Sequence, residues 1–228
     1  MISSKNNFVY LLGSIVALLF SSAITDDFPG GLGEDFFSVV SIFVMIVGVK
    51  SIHHDVAVKR IVYSIAVLMG GLTILWRLYP SKIMVLLILV VFLVAFVGAF
   101  KLSVKQILFE GKVDANKIIG SLSLYLLLGL IWTILYLMIL VFDPNALKGI
   151  EVESWRTLFS EVAYYSFTTL TTLGYGDISP VGHITEFVAY MEAVTGVFYM
   201  AIFVSSLINL RGSMFKRDDE SSRESSKR

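Results

Sequence analysis

Six apolar runs separated by polar segments dominate the pattern of this chain. They cover residues 8–24, 36–49, 61–76, 83–100, 118–142 and 184–210. An α-helix rises about 1.5 Å per residue, so about 20 apolar residues cross the hydrocarbon core of a bilayer. The run 36–49 is short for this purpose and needs flanking residues, with the Lys50 side chain extending to the interface. The pattern predicts an all-α membrane protein with six transmembrane helices.

The first run allows a second interpretation. Lys5 precedes it, and the small residues Ser21, Ser22 and Ala23 lie near its end, as they would in a secretory signal peptide. The run is 17 residues long, however, whereas the apolar part of such signals has roughly 7–15 residues. A retained helix and a cleaved signal therefore both stay open.

The polar segments divide the chain into four regions. Residues 1–100 are expected to form a four-helix membrane domain, and residues 101–117 an amphipathic linker that lies in the membrane interface. Residues 118–210 are expected to form a second membrane domain, which includes a further helix from about residue 155 to 170. The Ser-rich, charged tail 211–228 is predicted to be disordered.

The distribution of Lys and Arg tests the six-helix layout. If both termini are cytoplasmic, 14 of the 18 Lys and Arg residues lie inside and 4 outside. This asymmetry follows the positive-inside rule. We therefore predict a multi-pass protein of the cell membrane with both termini in the cytoplasm.

The heptapeptide TTLGYGD at residues 171–177 carries the candidate chemistry. Its glycines, Gly174 and Gly176, alternate with larger residues, and only glycine adopts positive φ without a Cβ clash. Such a segment can run extended with its carbonyl oxygens turned to one side, as a potassium filter requires. A surface turn or a phosphate-binding loop is the alternative, but a phosphate loop needs a preceding strand and a following helix.

This heptapeptide resembles the selectivity filter of the tetrameric potassium channels, and differs from the sequence TVGYG by Leu173 in place of valine. The resemblance implies a re-entrant pore helix and a filter that binds K⁺ through Thr172, Leu173, Gly174, Tyr175 and Gly176. It also implies that the filter is supported by Tyr164, Tyr165, Thr168, Thr171 and Asp177. Thr168 departs from the family, because many members have a carboxylate there that pairs with the filter aspartate.

The resemblance extends to the last apolar run. Gly196 lies 20 residues beyond Gly176, where the family has its inner-helix hinge, and Val197, Met200 and Val204 are expected to line the cavity. Simple close packing is the alternative role for Gly196, since glycine is common in membrane helices. Glu192 is an acid within this run, and an intramembrane charge predicts a functional site. We expect a hydrogen bond from Glu192 to the pore helix, at Ser166 or Thr169, with a structural or a gating role.

The first four runs match the six-helix members of the family in number and topology. The fourth run, 83–100, contains no charged residue, so the expected domain resembles a voltage sensor without its arginines. Conventional voltage gating is therefore not expected.

Composition supports a membrane protein, with 56% hydrophobic and 16% charged residues and a mean hydropathy of +0.80. The net charge is zero, which gives no indication of a nucleic-acid partner, and there is no cysteine. We predict a homotetrameric, potassium-selective channel subunit in contact with membrane lipid. It is expected to be no enzyme, and to need no cofactor and no metal beyond the permeant K⁺. A non-conducting regulatory subunit and a membrane transporter are the alternatives.

Overall fold

The structure, a computed structural model, describes residues 7–24, 39–41, 43–44, 56–109, 115–150 and 155–204. The helices with defined bounds are α1 (Asn7–Ile24), α2 (Val56–Leu78), α3 (Lys82–Phe109), α4 (Ala115–Phe142), α5 (Trp155–Leu170) and α6 (His183–Tyr199). A π-helical turn, Met200–Val204, continues α6. The described part of the chain is thus predominantly helical.

The predicted apolar runs coincide with helices where the chain is described. Residues 39–41 and 43–44 of the second run are helical, while the rest of that run and the 211–228 tail lie outside the described residues. Among the described helices, Lys82–Ile107 and Asn116–Phe142 are long and apolar enough to cross a membrane. Phe8–Ile24 and Tyr63–Leu78 are shorter apolar helices. The total of six spans stays a prediction.

The helix α3 extends beyond the predicted end of the fourth run at residue 100. One face of its last turns is buried, with Ser103 fully enclosed and Ile107 in the main core. The buried Lys117 of α4 donates from Nζ to the carbonyl of Ile107 at 2.9 Å, near the end of α3 where carbonyls lack helical partners. Residues 101–109 therefore continue α3, whereas the interfacial position of the linker 101–117 stays a prediction.

The centre of the fold is α4, which packs against α1, α3, α5 and α6. Its fully buried residues include Leu124, Leu127, Leu130, Ile134, Tyr136 and Leu137. The helix α1 contributes Phe8, Leu11, Ile15 and Leu18 to the same core. The Phe8 N–H donates to the Asn116 side chain at 3.2 Å, which ties the start of α1 to the start of α4. This packing places α1 and α4 against α5.

A two-stranded antiparallel sheet interrupts the predicted all-α fold. Strand β1 (Leu147–Lys148) pairs with β2 (Ser179–Pro180), with Leu147 opposite Pro180. The chain reaches β1 through a turn after α4, in which Asn145 N–H donates to the Asp143 carboxylate at 3.0 Å. Strands this short have no recognisable sequence pattern, since tertiary contacts decide their pairing.

Candidate functional site

The 171–177 segment is held to the carboxyl end of α5 by backbone hydrogen bonds. Four successive N–H groups donate to carbonyls of the last turns of this helix. The bonds join Thr171 to Phe167 (3.1 Å), Thr172 to Thr169 (2.9 Å), Leu173 to Thr168 (2.8 Å) and Gly174 to Thr168 (3.1 Å). The first half of the segment therefore turns its N–H groups towards α5, and carbonyls near the helix end gain donors that the helix itself cannot supply.

The backbone of the segment alternates in conformation. The angle φ is 60° at Thr172, 53° at Gly174 and 80° at Gly176, whereas Leu173 and Tyr175 have no positive φ. An alternation of left- and right-handed conformations turns successive backbone groups of one kind to the same side of a chain. A Cβ on Gly174 or Gly176 would meet no atom within 4 Å. These glycines are therefore required by conformation and not by lack of space.

The carboxylate of Asp177 has a partner on α5. The Tyr164 hydroxyl donates to Asp177 Oδ2 at 2.6 Å. This hydrogen bond is the main reason why the pKa of Asp177, which lies beyond the spanning helices, is lowered from its ordinary value. The Thr168 side chain does not contact Asp177, since its hydroxyl donates to the Tyr165 carbonyl at 3.0 Å. The missing carboxyl partner is thus replaced by a tyrosine one helical turn earlier.

The other predicted supports contact α5 and α4. The Thr171 hydroxyl donates to the Phe167 carbonyl at 2.7 Å, within the last turn of the pore helix. The Tyr165 ring is buried and packs edge-on against Tyr136 of α4, with the ring centroids 5.0 Å apart. Tyr164 and Tyr165 therefore brace different sides of α5.

The carboxyl end of the segment, at Asp177, contacts the turn that follows α4. Gly149 has a φ of 91°, and a Cβ there would overlap the backbone carbonyl oxygen of Asp177. Just beyond β2, the Val181 N–H donates to the Ala146 carbonyl at 2.8 Å. We call the β1–β2 pair together with Gly149 the outer clasp. It fixes the end of the candidate filter to the end of α4.

Glu192 of α6 lies at the meeting point of three helices and is fully buried. Its Oε1 is 2.5 Å from the Ser166 hydroxyl of α5, and its Oε2 accepts a hydrogen bond from the Tyr136 hydroxyl of α4 at 2.7 Å. The Ser166 hydroxyl also lies 2.9 Å from the Gly129 carbonyl of α4. The expected contact with Ser166 is present, and the structure adds Tyr136 to it.

Gly196 touches the base of the candidate filter. A Cβ on Gly196 would overlap the carbonyl oxygen of Leu170, the last residue of α5. The same carbonyl accepts a hydrogen bond from the Tyr125 hydroxyl at 3.2 Å, and the Tyr125 ring packs against Tyr199. Gly196 therefore has a close-packing role in this structure, and its role as a hinge stays a prediction.

Two of the three expected cavity-lining residues are exposed, one in α6 and one in the π-helical turn that follows it. Val197 and Met200 are 56% and 53% exposed in the single chain. Val204 belongs to the π-helical turn, but its side chain lies outside the described part of the structure. Because π-turns occur often at functional sites, the change of helix type just after Gly196 marks this part of α6 as unusual.

Sequence reasoning missed Gly149, Tyr136 and Tyr125. Gly149 follows a proline-containing turn and carries no motif, although an isolated glycine can signal a close backbone approach. The two tyrosines lie within an apolar run, where a phenol is expected to seek a partner for its hydroxyl. That rule marks Tyr136 and Tyr125 as candidates without identifying Glu192 or Leu170 as their partners.

A comparison with protein families finds a similarity in the second half of the chain. Residues 121–211 match the family model described as "Ion channel". This range begins within α4 and includes the pore helix, the 171–177 segment and α6. No curated protein and no solved structure matches the chain.

Proposed function

We propose that this protein is a potassium-selective channel subunit that conducts K⁺ passively across the cell membrane, since residues 121–211 match the family model described as "Ion channel". The observation that carries the proposal is that φ is positive at every second residue, Thr172, Gly174 and Gly176, in a segment that is hydrogen-bonded to the end of a helix. A potassium filter substitutes backbone carbonyl oxygens for the hydration shell of the ion, and this backbone supports that arrangement. The oxygens proposed to bind K⁺ belong to Thr172, Leu173, Gly174, Tyr175 and Gly176.

The pore helix contributes electrostatically. Aligned peptide dipoles leave about half a negative charge at the carboxyl end of a helix. The carboxyl end of α5 is where the filter segment begins, so its dipole favours a cation at the inner end of the filter. Four such ends around one axis would stabilise K⁺ before it enters the filter.

One chain supplies only one wall of a pore, so we propose a homotetramer. A ring of carbonyls needs several copies of the filter, and potassium pores use four. In the single chain, apolar side chains are exposed along α6 and the π-helical turn after it, among them Ile184, Phe187, Tyr190, Val194, Val197 and Met200. Some of these residues would face the neighbouring subunits, and Val197, Met200 and Val204 would face the cavity.

The proposed topology has six spans, both termini in the cytoplasm and membrane lipid around the helices. It is supported by the excess of Lys and Arg on one side of the predicted layout. Residues 83–100 of α3 carry no charge, so the channel should lack the steep voltage dependence that an arginine array produces. Gly196 is proposed as the gating hinge, a role that competes with its packing role.

Ion flux into liposomes that contain only the purified protein tests the proposal. We expect uptake of K⁺ but not of Na⁺, and block by Ba²⁺. The protein mass of the detergent-solubilised particle, without the bound detergent, should be four times that of the chain. Sodium flux equal to potassium flux would refute selectivity, and a monomeric particle that conducts would refute the tetramer.

A matched variant assigns the flux to the filter. Gly174→Ala meets no neighbouring atom in the chain but places alanine at a φ of 53°. The left-handed region costs an L-residue about 1–2 kcal/mol, so the filter should distort while the helices stay folded. Loss of selective flux in Gly174→Ala tetramers is the expected result. Unchanged selective flux would exclude this segment as the filter, and silent tetramers of the unchanged protein would favour a regulatory subunit that needs a partner.

A further inference from the structure

The contacts of Glu192 raise the question of where its protons lie. Three oxygen pairs in this cluster are within hydrogen-bonding distance: Tyr136 Oη to Glu192 Oε2 at 2.7 Å, Ser166 Oγ to Glu192 Oε1 at 2.5 Å, and Ser166 Oγ to the Gly129 carbonyl at 2.9 Å. Each pair needs a hydrogen between its two oxygens. We call these four groups the Glu192 cluster.

An ionised Glu192 leaves this cluster one hydrogen short. A carboxylate only accepts, a carbonyl only accepts, and a serine hydroxyl has a single hydrogen to donate. Tyr136 supplies the hydrogen for Oε2, but Ser166 would then face two acceptors, Glu192 Oε1 and the Gly129 carbonyl. One of these two close contacts would be an oxygen pair with no hydrogen between its atoms.

A proton on Glu192 completes the set. If Oε1 carries it, the carboxyl group donates to the Ser166 oxygen, and Ser166 donates its own hydrogen to the Gly129 carbonyl. The Gly129 carbonyl has room for this bond beside the one it accepts from Thr133 at 2.8 Å, because a carbonyl oxygen has two lone pairs. Every close contact then contains one hydrogen.

The surroundings of Glu192 also favour the neutral acid. The side chain is fully buried, and a buried charge is costly unless it is paired. The titratable groups that act on it from the neighbouring helices are Tyr125 and Tyr136 of α4 and Tyr165 of α5. Among the described residues, no Lys, Arg or His makes a hydrogen bond or an ion pair with Glu192. A carboxylate at this point would therefore have no basic side chain of the described residues as its partner.

We propose that Glu192 is a proton-binding site, and that its bound proton latches the pore helix α5 to α6 and α4. Removal of the proton turns the donor to Ser166 into an acceptor, so the chain of bonds from Glu192 through Ser166 to the Gly129 carbonyl breaks at one link. Ser166 lies four residues before the end of α5, where the filter begins. The effect of the latch on conduction rests on the proposed function, whereas the protonation of Glu192 does not.

Infrared difference spectroscopy of the whole protein in lipid tests the site. At neutral pH, the unchanged protein minus Glu192→Gln should leave the carbonyl-stretch band of a protonated carboxylic acid. Glutamine keeps a donor for Ser166 and an acceptor for Tyr136, so this variant should fold and assemble. Absence of the band from the difference spectrum would overturn the proposal.

A second variant keeps the test decisive if Glu192→Gln fails to fold. Ser166→Ala removes the acceptor of the carboxyl hydrogen but leaves the acid in place. The band should persist in this variant and shift to the frequency of a carboxylic acid with a weaker hydrogen bond. A spectrum without any such band in both Ser166→Ala and the unchanged protein would show that Glu192 is ionised.

The latch has its own readout. As the pH is raised, potassium flux should decrease over the same range in which the infrared band disappears, and Glu192→Gln should show no such decrease. Disappearance of the band with unchanged flux would overturn the latch. Because the infrared band requires no conduction, a protein that does not conduct still tests the proton site, and the two failures are distinguishable.

Discussion

Replacing Gly196 by alanine separates two roles of α6. In the packing role, the missing side chain lets α6 approach the end of the pore helix, because a Cβ would overlap the Leu170 carbonyl oxygen and lie 3.2 Å from Leu170 Cδ1. In the hinge role, glycine provides freedom to bend, and any larger residue stiffens the helix. Both roles predict a changed channel, but they differ in stability and in what restores function.

The expected change in stability follows from two opposing effects. Alanine is better than glycine in a helix interior by about 1 kcal/mol. Overpacking typically costs about 1–3 kcal/mol, and here the obstacle is a backbone oxygen that cannot rotate away. The clash should prevail by about 1 kcal/mol per subunit, a factor of about five in an equilibrium constant. Gly98→Ala in α3 is the control, since its Cβ meets nothing within 4 Å and it should stabilise the protein slightly.

The measurements are thermal unfolding in detergent and potassium flux in liposomes. Gly196→Ala should unfold at a lower temperature than the unchanged protein, and Gly98→Ala should not. The double variant Thr195→Gly/Gly196→Ala moves the flexible position by one residue without relieving the clash, with Thr195→Gly alone as its control. Recovery of flux in the double variant would favour the hinge and contradict the packing argument. A Gly196→Ala protein that is as stable as Gly98→Ala would also contradict the packing argument.

Two further predictions concern the outer mouth. Gly149→Ala should reduce potassium flux strongly because its Cβ displaces the Asp177 carbonyl, whereas Gly182→Ala, at a similar φ of 82° but with nothing within 4 Å, should largely retain it; equal losses of flux in the two variants would refute the outer clasp. The Tyr164 hydroxyl lowers the pKa of Asp177, so their contact persists at neutral pH and is lost only as the external pH falls through that lowered value. In Tyr164→Phe the Asp177 carboxylate should take up its proton at higher pH, so potassium flux should be lost at a higher external pH than in the unchanged protein. If the pH at which flux is lost does not change, this hydrogen bond does not control the outer mouth.

The helical part of the fold was predictable where the chain has long apolar runs. The run 8–24 and the helix Asn7–Ile24 differ by one residue, and the pore helix has the expected limits, 155 and 170. The end of α5 could be found because the glycine-containing 171–177 segment follows it, and glycine disfavours the continuation of a helix. The end of α3 could not be found in the same way. Lys101 and Lys105 interrupt the apolar pattern, but burial of Ile107 and the contact with Lys117 extend the helix to Phe109.

The contacts of the site were predictable only where they depend on helical geometry over a short distance. Glu192 was expected to bond to α5 at Ser166 or Thr169, and α5 is the helix that precedes α6 in the chain, so Ser166 was a reasonable partner. Tyr136 lies 56 residues away on α4, and its contact with Glu192 depends on how α4 and α6 cross, which no local pattern specifies. The same reasoning applies to Gly149, because its need for glycine arises from the backbone of Asp177, a residue of another segment. The motif at 171–177 therefore indicates the proposed chemistry, whereas the residues that hold the candidate filter in place become visible only when the helices are packed together.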